Sequence, residues 1–384
     1  MKRSLYSEDH EAFRKVIRDF IAREVAPAFS SWEELGYVPR EFHKRFGDLG
    51  IAGFDIEEEF GGAGPTSYRY HAVITEECAR AGVNFGGFII SHGIVLPYLL
   101  DLATNEQRQR WFPGLASGDQ LSIAMTEPGT GSDLAGIKTS ARLSEDGTHY
   151  VLNGAKTFIT NATQSRYMVV ACRTSAATAD NRRHGLSLLV VETGTPGFEY
   201  GRRLHKIGMR NSDTCEISFT DVKVPVENLL GEEGAGFSYL GRNLTRERLA
   251  AATTGCSNAA AAIAFARDYV LDRKVFGQPV ASFQNTKFIL AECATELEAG
   301  QSMVDRAIEL EDSGELTAVD AAKCKLFCTE MSGRVIDKCL QLHGGYGYIL
   351  EYPIARLYAD TRVTRIAAGS SEVMKTMISK SLGL

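Results

Sequence analysis

The chain has 384 residues, enough for two or three domains or one large one, and its 44% hydrophobic and 23% charged content is ordinary for a soluble globular protein. A net charge of -6 is mild and gives no support to nucleic-acid binding. No run approaches the roughly 18 apolar residues of a membrane span, and the Met-Lys-Arg-Ser-Leu-Tyr start lacks the apolar core of a secretion signal.

Phe13, Val16, Ile17, Phe20, Ile21 and Val25 recur at helical spacing and predict a first helix, with Ser7 as its cap and Pro27 as its end. Further helices are expected over residues 40–49, 67–80, 91–100 and 105–115, with a glycine-rich loop at 61–65. Near residue 121 the pattern changes to short β-rich runs. Tyr150-Val151-Leu152 precedes Asn153-Gly154, a strong hairpin signal, and residues 156–160 read as the returning strand. Residues 167–173 and 186–192 are apolar strands, 174–184 is a polar loop, and 215–220 alternates as in a half-buried strand.

Three glycines between 231 and 236 mark a boundary. Residues 237–271 read as one long alanine-rich helix with a break near Gly255, followed by helices over 283–310, 317–342 and 371–382. The fold class is therefore α+β: an N-terminal α-helical domain (1–120), a middle β-barrel or sandwich domain (121–232) and a C-terminal four-helix bundle (233–384). The eight cysteines are scattered with no C-x-x-C pair, so no metal site or dithiol is indicated and a reducing compartment fits.

The stretch 125–139, Met-Thr-Glu-Pro-Gly-Thr-Gly-Ser-Asp-Leu-Ala-Gly-Ile-Lys-Thr, sets the hydroxyls of Thr126, Thr130 and Ser132 around a Pro128-Gly129 turn. Glycine lets backbone N–H groups approach anionic oxygens, so the stretch suits a phosphate-bearing or heteroaromatic cofactor. On composition alone an ordinary glycine-rich surface loop is the better reading. Neither a G-x-G-x-x-G nor a G-x-x-x-x-G-K-[ST] pattern is present, so a Rossmann or P-loop site is not supported.

Four segments in order resemble the acyl-CoA dehydrogenase family: the 125–133 run; Asn153-Gly154-Ala155-Lys156 with Phe158-Ile159-Thr160; Arg273-Lys274-Val275-Phe276-Gly277; and Gln341-Leu342-His343-Gly344-Gly345. The likeness covers nearly the whole chain and is closest to the long-chain type. It implies bound FAD. Ile123, Ala124, Met125 and Thr126 would run beside the isoalloxazine, with Ser132 near its edge or the pyrophosphate. Phe158 would stand where the family often has tryptophan, Ile159 would contact the cofactor, and Thr160 would hydrogen-bond near N5. The resemblance also implies that Arg273, Phe276, Gln284, Gln341, Gly344 and Gly345 reach the FAD of a neighbouring subunit, and that Ser370 and Glu372 contact cofactor. His343 reads as structural.

A homodimer or homotetramer follows, with an acyl-CoA or other acyl thioester as substrate and an electron-transferring flavoprotein as partner. The bacterial cytoplasm, or a mitochondrial matrix after processing, is the expected location.

Many family members carry their base in a Tyr-Glu-Gly-Thr run. Here the corresponding run is Ala367-Ala368-Gly369-Ser370, with alanine at the glutamate position. The long-chain and isovaleryl types instead use a glutamate in a Glu-Arg-Leu run, and this chain has Arg246-Glu247-Arg248-Leu249. By resemblance Glu247 is the base, and Ser132, Thr245, Arg248, Ala368 and Gly369 line the thioester end. The Ala368 N–H would be a donor to the thioester oxygen. Without the resemblance, a glutamate between arginines reads as a solvated surface residue. Glu372 is a rival carboxylate, and Ser238 departs from the long-chain type's tyrosine. Residues 85–98 are expected to line the acyl pocket. A carrier-tethered substrate, a flavin oxidase and a non-catalytic flavoprotein subunit remain open alternatives.

Overall fold

Ile17, Phe20, Ile21 and Val25 form the buried face of the first helix, while Val16 lies half-exposed at its edge. The computed structural model, which describes residues 3–384, runs that helix over Glu8–Phe20 (α1). Pro27 does not end it. A π-helical turn, Ile21–Val25, leads into α2, Ala26–Leu35, with the proline in the first turn. The wider turn relieves the proline ring and omits the hydrogen bond that proline cannot donate. Helices α3 (Arg40–Asp48) and α4 (Tyr68–Ala81) come next, the latter capped by Ser67, whose hydroxyl accepts from Arg69 N at 3.1 Å. The device at Pro27 recurs at Pro97: a π turn, Ile89–Val95, precedes α5, Leu96–Leu102. Helix α6, Asn105–Ala116, completes this layer.

Among the described residues, the middle of the chain forms one eight-stranded sheet. Its strands are β1 (Leu121–Ala124), β2 (Ser140–Leu143), β3 (His149–Thr160), β4 (Tyr167–Arg173), β5 (Leu186–Glu192), β6 (Phe198–Arg203), β7 (Thr214–Pro225) and β8 (Leu229–Leu230). The order is β6-β7-β3-β2-β4-β5-β8, with β1 parallel to β4. The expected hairpin at Asn153-Gly154 is absent, because β3 runs straight through it. Its register against β7 shifts between Leu152 and Gly154, a bulge. The Asn153 side chain is spent on Asp221: its Nδ2 donates to Oδ1 at 3.0 Å and its Oδ1 accepts from Asp221 N at 2.9 Å. The tight turn lies instead between β2 and β3, where Gly147 takes a φ of 68° after Asp146. Strands β4 and β5 read as continuous apolar runs because both their faces are covered. Val169 and Leu188 pack toward α5 and α6, and Val170 and Leu189 pack toward β3 and β7.

The C-terminal region has three long helices: α7 (Gly236–Asp272), then α8 (Gln284–Asp312) after a small hairpin of β9 (Lys274–Val275) and β10 (Gln278–Pro279), then α9 (Ala318–Leu342). Two short helices close it, α10 (Pro353–Thr361), which the sequence pattern did not reveal, and α11 (Ser371–Ser381). Helix α7 is unbroken, about 55 Å at 1.5 Å per residue. Gly255 is not a break but a close approach: a Cβ there would sit 3.0 Å from Cys328 O on α9. By length and composition α7 could cross a membrane, although no apolar run of that length was expected. Here it packs against α4, α8 and α9 as a core helix. All eight cysteines are buried and free.

Gly255→Val forces side-chain atoms into the α9 backbone. Overpacking of this kind costs about 1–3 kcal/mol, so a melting temperature lowered by a few degrees is expected. An unchanged melting curve would refute the close α7–α9 approach.

Candidate active site

The three charged residues 246–248 of α7 point in three directions, since successive helical residues are about 100° apart. Arg246 turns to Asp55, with its Nη2 3.2 Å from Oδ2. Arg248 turns the other way, its Nε donating to Ala368 O at 3.4 Å. Glu247 faces inward between them and is only 6% exposed. Its Oε1 accepts from the Tyr98 hydroxyl at 3.0 Å. Burial pushes its pKa up to about 7, against the opposing pull of the Tyr98 hydrogen bond and the Arg248 charge. Burial also holds the Tyr98 phenol well above its ordinary value, so it remains a donor. Tyr98 belongs to α5, where the π turn before Pro97 rephases the helix toward α7.

That π turn also joins two halves of the site. It packs on both β1 and α7, and Ser91 Oγ accepts from Leu121 N at 2.6 Å. A narrow cavity lined by Phe88, Ile89, Gly93, Ala250 and Thr254, with His71 alongside, lies on the Glu247 face of α7. Positions 247, 250 and 254 share one helical face. The 85–98 stretch thus contributes to this cavity.

The 125–139 stretch is held from within. Glu127 accepts from Lys138 N at 2.8 Å and Thr139 N at 2.9 Å, which folds the glycine-rich run back on itself. Lys156 of β3 clamps it: its ammonium reaches Glu127 Oε1 at 2.9 Å and Met125 O at 3.0 Å, with no side-chain exposure. Burial alone would raise the Glu127 carboxyl; Lys156 and the amides of 138 and 139 together hold it below the ordinary value. β3 also fixes the strand next to it, Thr157 N donating to Thr126 O at 2.9 Å. The adjoining residue, Phe158, takes a φ of 58° and is 66% exposed. A left-handed non-glycine residue costs on the order of 1–2 kcal/mol, and the conformation turns an aromatic face outward beside Ile123–Thr126. Thr160 stands half-buried, its hydroxyl 3.5 Å from that of Thr214.

Residues 367–370 form a turn with Ala368 at φ 55° and Gly369 at φ 91°. It lies beside Arg248, and Lys325 Nζ donates to Gly369 O at 2.7 Å. Ser370 opens α11, and Glu372 is exposed in its first turn. Thr245 is half-buried one turn ahead of Arg248.

The remaining predicted residues lie elsewhere. Arg273, Phe276, Gln284, Gln341, Gly344 and Gly345 are all exposed, on the β9–β10 hairpin and the ends of α8 and α9. The guanidinium of Arg273 sits 5.6 Å over the Tyr346 ring, which draws two of these segments together. Phe276 is 96% exposed. His343 is buried, stacked on Tyr269 with ring centroids 4.6 Å apart.

Family models match the chain in three consecutive blocks: acyl-CoA dehydrogenase N-terminal domain over 7–119, middle domain over 122–222 and C-terminal domain over 234–383. The chain belongs to the acyl-CoA dehydrogenase family. The pig mitochondrial long-chain specific acyl-CoA dehydrogenase is 40% identical over 381 residues, 99% of this chain and 88% of that protein. A Geobacillus kaustophilus acyl-CoA dehydrogenase structure superposes with a TM-score of 0.95 at 42% identity, covering all of both chains. A Bacillus anthracis acyl-CoA dehydrogenase solved with FAD gives 0.89 at 32% identity, covering 98% of this chain and 68% of that one. The resemblance read from four motifs and the α–β–α fold class are both borne out, and the chain is an oxidoreductase of the acyl-CoA dehydrogenase family.

Four side chains central to this acyl-CoA dehydrogenase site have no role that the sequence alone assigns. Tyr98 is one position in a pocket-lining stretch. Lys156 and Glu127 lie inside recognised motifs, but their pairing across 29 residues is invisible in a linear pattern. Lys325 is a mid-helix lysine to which the sequence pattern gives no role.

Removing one partner of a buried ion pair costs about 3–5 kcal/mol. Glu127→Ala is therefore expected to lower unfolding stability by that order and to speed hydrogen exchange at the Lys138 and Thr139 amides. Exchange at wild-type rates would show that Glu127 does not hold the loop.

Proposed function

We propose that this chain removes two hydrogens from carbons 2 and 3 of a saturated acyl-CoA, with Glu247 as the base that takes the proton from carbon 2. The observation that carries the reading is the dry Glu247 carboxyl, raised to about 7 and met on Oε1 by the Tyr98 hydroxyl. A thioester α-proton is far too weakly acidic for a hydrated carboxylate. Burial raises the base's proton affinity, and a donor to the thioester oxygen stabilises the developing enolate. The Ala368 N–H, in the turn that Arg248 reaches, is the protein donor in this reading. The cavity beside Ala250 and Thr254 is about 20 Å³, room for little more than a water, so an acyl tail that enters on this face must displace the side chains that line it.

Residues 123–126, Ser132, Phe158, Ile159 and Thr160 would hold FAD from one chain, with Ser370 and Glu372 near its far side. The fit rests on the outward Phe158 ring, which offers a stacking face to a flat heterocycle. It rests also on the backbone N–H groups of Thr126 and Ser132, which have no acceptor among the described residues. FAD, when bound, supplies the acceptor for the hydride leaving carbon 3. Arg273, Phe276, Gln284, Gln341, Gly344 and Gly345 are solvent-exposed in the single chain, which supports a homodimer in which they complete the partner's cofactor site. An electron-transferring flavoprotein is the proposed redox partner.

Anaerobic addition of acyl-CoAs of graded length and branching should bleach the flavin. No bleaching with any CoA thioester, but bleaching by carrier-bound acyl groups, would reassign the substrate, and no bleaching with either would overturn the reaction. Glu247→Gln is expected to keep its flavin and lose about 10²–10⁴-fold in kcat; undiminished turnover would remove Glu247 from the chemistry.

Because the base acts as carboxylate, kcat/KM should fall about tenfold per pH unit below about 7 and level off above it. Tyr98→Phe removes a donor that stabilises the carboxylate, so the acid limb is expected to move to higher pH. An unmoved limb would mean that the Tyr98 bond is not made in the active enzyme.

A further inference from the structure

We infer that Lys325 is a positioning residue for the thioester, its ammonium locking the 368–369 turn so that the Ala368 N–H keeps one orientation. The inference rests on the acyl thioester reading above and adds a residue to it.

Lys325 lies in the middle of α9 and is 1% exposed. Its Nζ donates to Gly369 O at 2.7 Å. A buried ammonium loses most of its hydration, and a single carbonyl replaces little of it. An apolar side chain would fill the same space without that loss. What the ammonium adds is a fixed donor on a turn that needs one. Ala368 and Gly369 both sit in the left-handed region, at φ 55° and 91°, where alanine's Cβ is strained.

Three successive peptide groups are involved. The first carries the Ala368 N–H. The carbonyl of the second, Ala368 O, faces Arg248 Nε at 3.4 Å, and that of the third, Gly369 O, is held by Lys325. Helix α9 grips the far end as well, since Ser371 Oγ donates to Glu330 Oε1 at 2.6 Å. The cations hold the two peptides after Ala368, and the Ala367 N–H is held upstream by Val363 O at 2.9 Å, so the peptide that carries the Ala368 N–H is braced from both sides. The two cations also place positive charge beside the turn where the thioester oxygen gains negative charge.

The test uses flavin-loaded Lys325→Met and Lys325→Gln, the second keeping a shorter, uncharged donor so that a variant remains if the methionine protein fails to fold. Two readouts are taken. One is the split between kcat and KM with the best acyl-CoA. The other is the long-wavelength charge-transfer band given anaerobically by a 3-thiaacyl-CoA, which reports enolate formation without turnover. For Lys325→Met we expect kcat down about 10–100-fold, KM within about threefold, a weakened band, and flavin content and melting temperature near wild type. The glutamine variant should fall between.

A full band with full kcat in either variant overturns the inference, as does activity lost only in proportion to lost flavin, which would mark Lys325 as merely structural. A wild-type protein with neither bleaching nor band overturns the dehydrogenase reading instead, so the two failures are told apart.

Discussion

One constraint organises this molecule: a carboxylate must be kept out of water at a fixed place, and α7 does it. The helix carries Glu247 against Tyr98 of α5, and the next residue, Arg248, reaches the 367–370 turn. It can do so because its two flanking arginines leave the helix in other directions, each toward its own acceptor. Isolating a charge from solvent is costly unless the group shifts its pKa. Glu247 shifts, and in the reading proposed above the same desolvation that raises its proton affinity is what would let it take a proton from carbon.

The second half of the site is built by strain that buried polar groups hold in place. Lys156 and Glu127 tie the glycine-rich loop to β3, and two residues further on Phe158 is held in a left-handed conformation with its ring outward. The π turns before Pro27 and Pro97 are a related device. Each admits a proline into a helix and rotates the next helical turn, and at the second of them that turn carries Tyr98. Local irregularity of this kind persists only where neighbouring structure over-determines it.

The exposed face of the C-terminal helices has a different logic. Phe276 and Tyr348 are almost fully solvent-exposed, at 96% and 90%, on two short segments at the ends of the long helices. Aromatic side chains in such positions are candidates for burial against a second copy. The arrangement accords with a cofactor site completed across subunits, and it makes the lone chain an incomplete enzyme in the reading advanced above.

The order of helical, β-rich and helical regions was legible in the sequence, because helical periodicity and strand alternation are local properties. So was the family, because four short motifs occur in order along the chain. Local signals misled where tertiary contacts outweighed them. Asn153-Gly154 reads as a hairpin, yet pairing with β7 made it a bulge. Gly255 reads as a helix break, yet it is where α9 comes close. Pro27 reads as a stop, yet a π turn carries the helix past it.

The sequence by itself determined the missing carboxylate at 368 and, through resemblance, the candidate at 247. Only the tertiary structure decided that Glu247 is dry, that Tyr98 from a helix 149 residues away meets it, and that Lys156 and Lys325 are spent on holding loops. The physical reason is that burial and pairing depend on which distant segments share a neighbourhood, and a charged residue in a helical pattern looks the same from the sequence whether it faces water or a catalytic cleft.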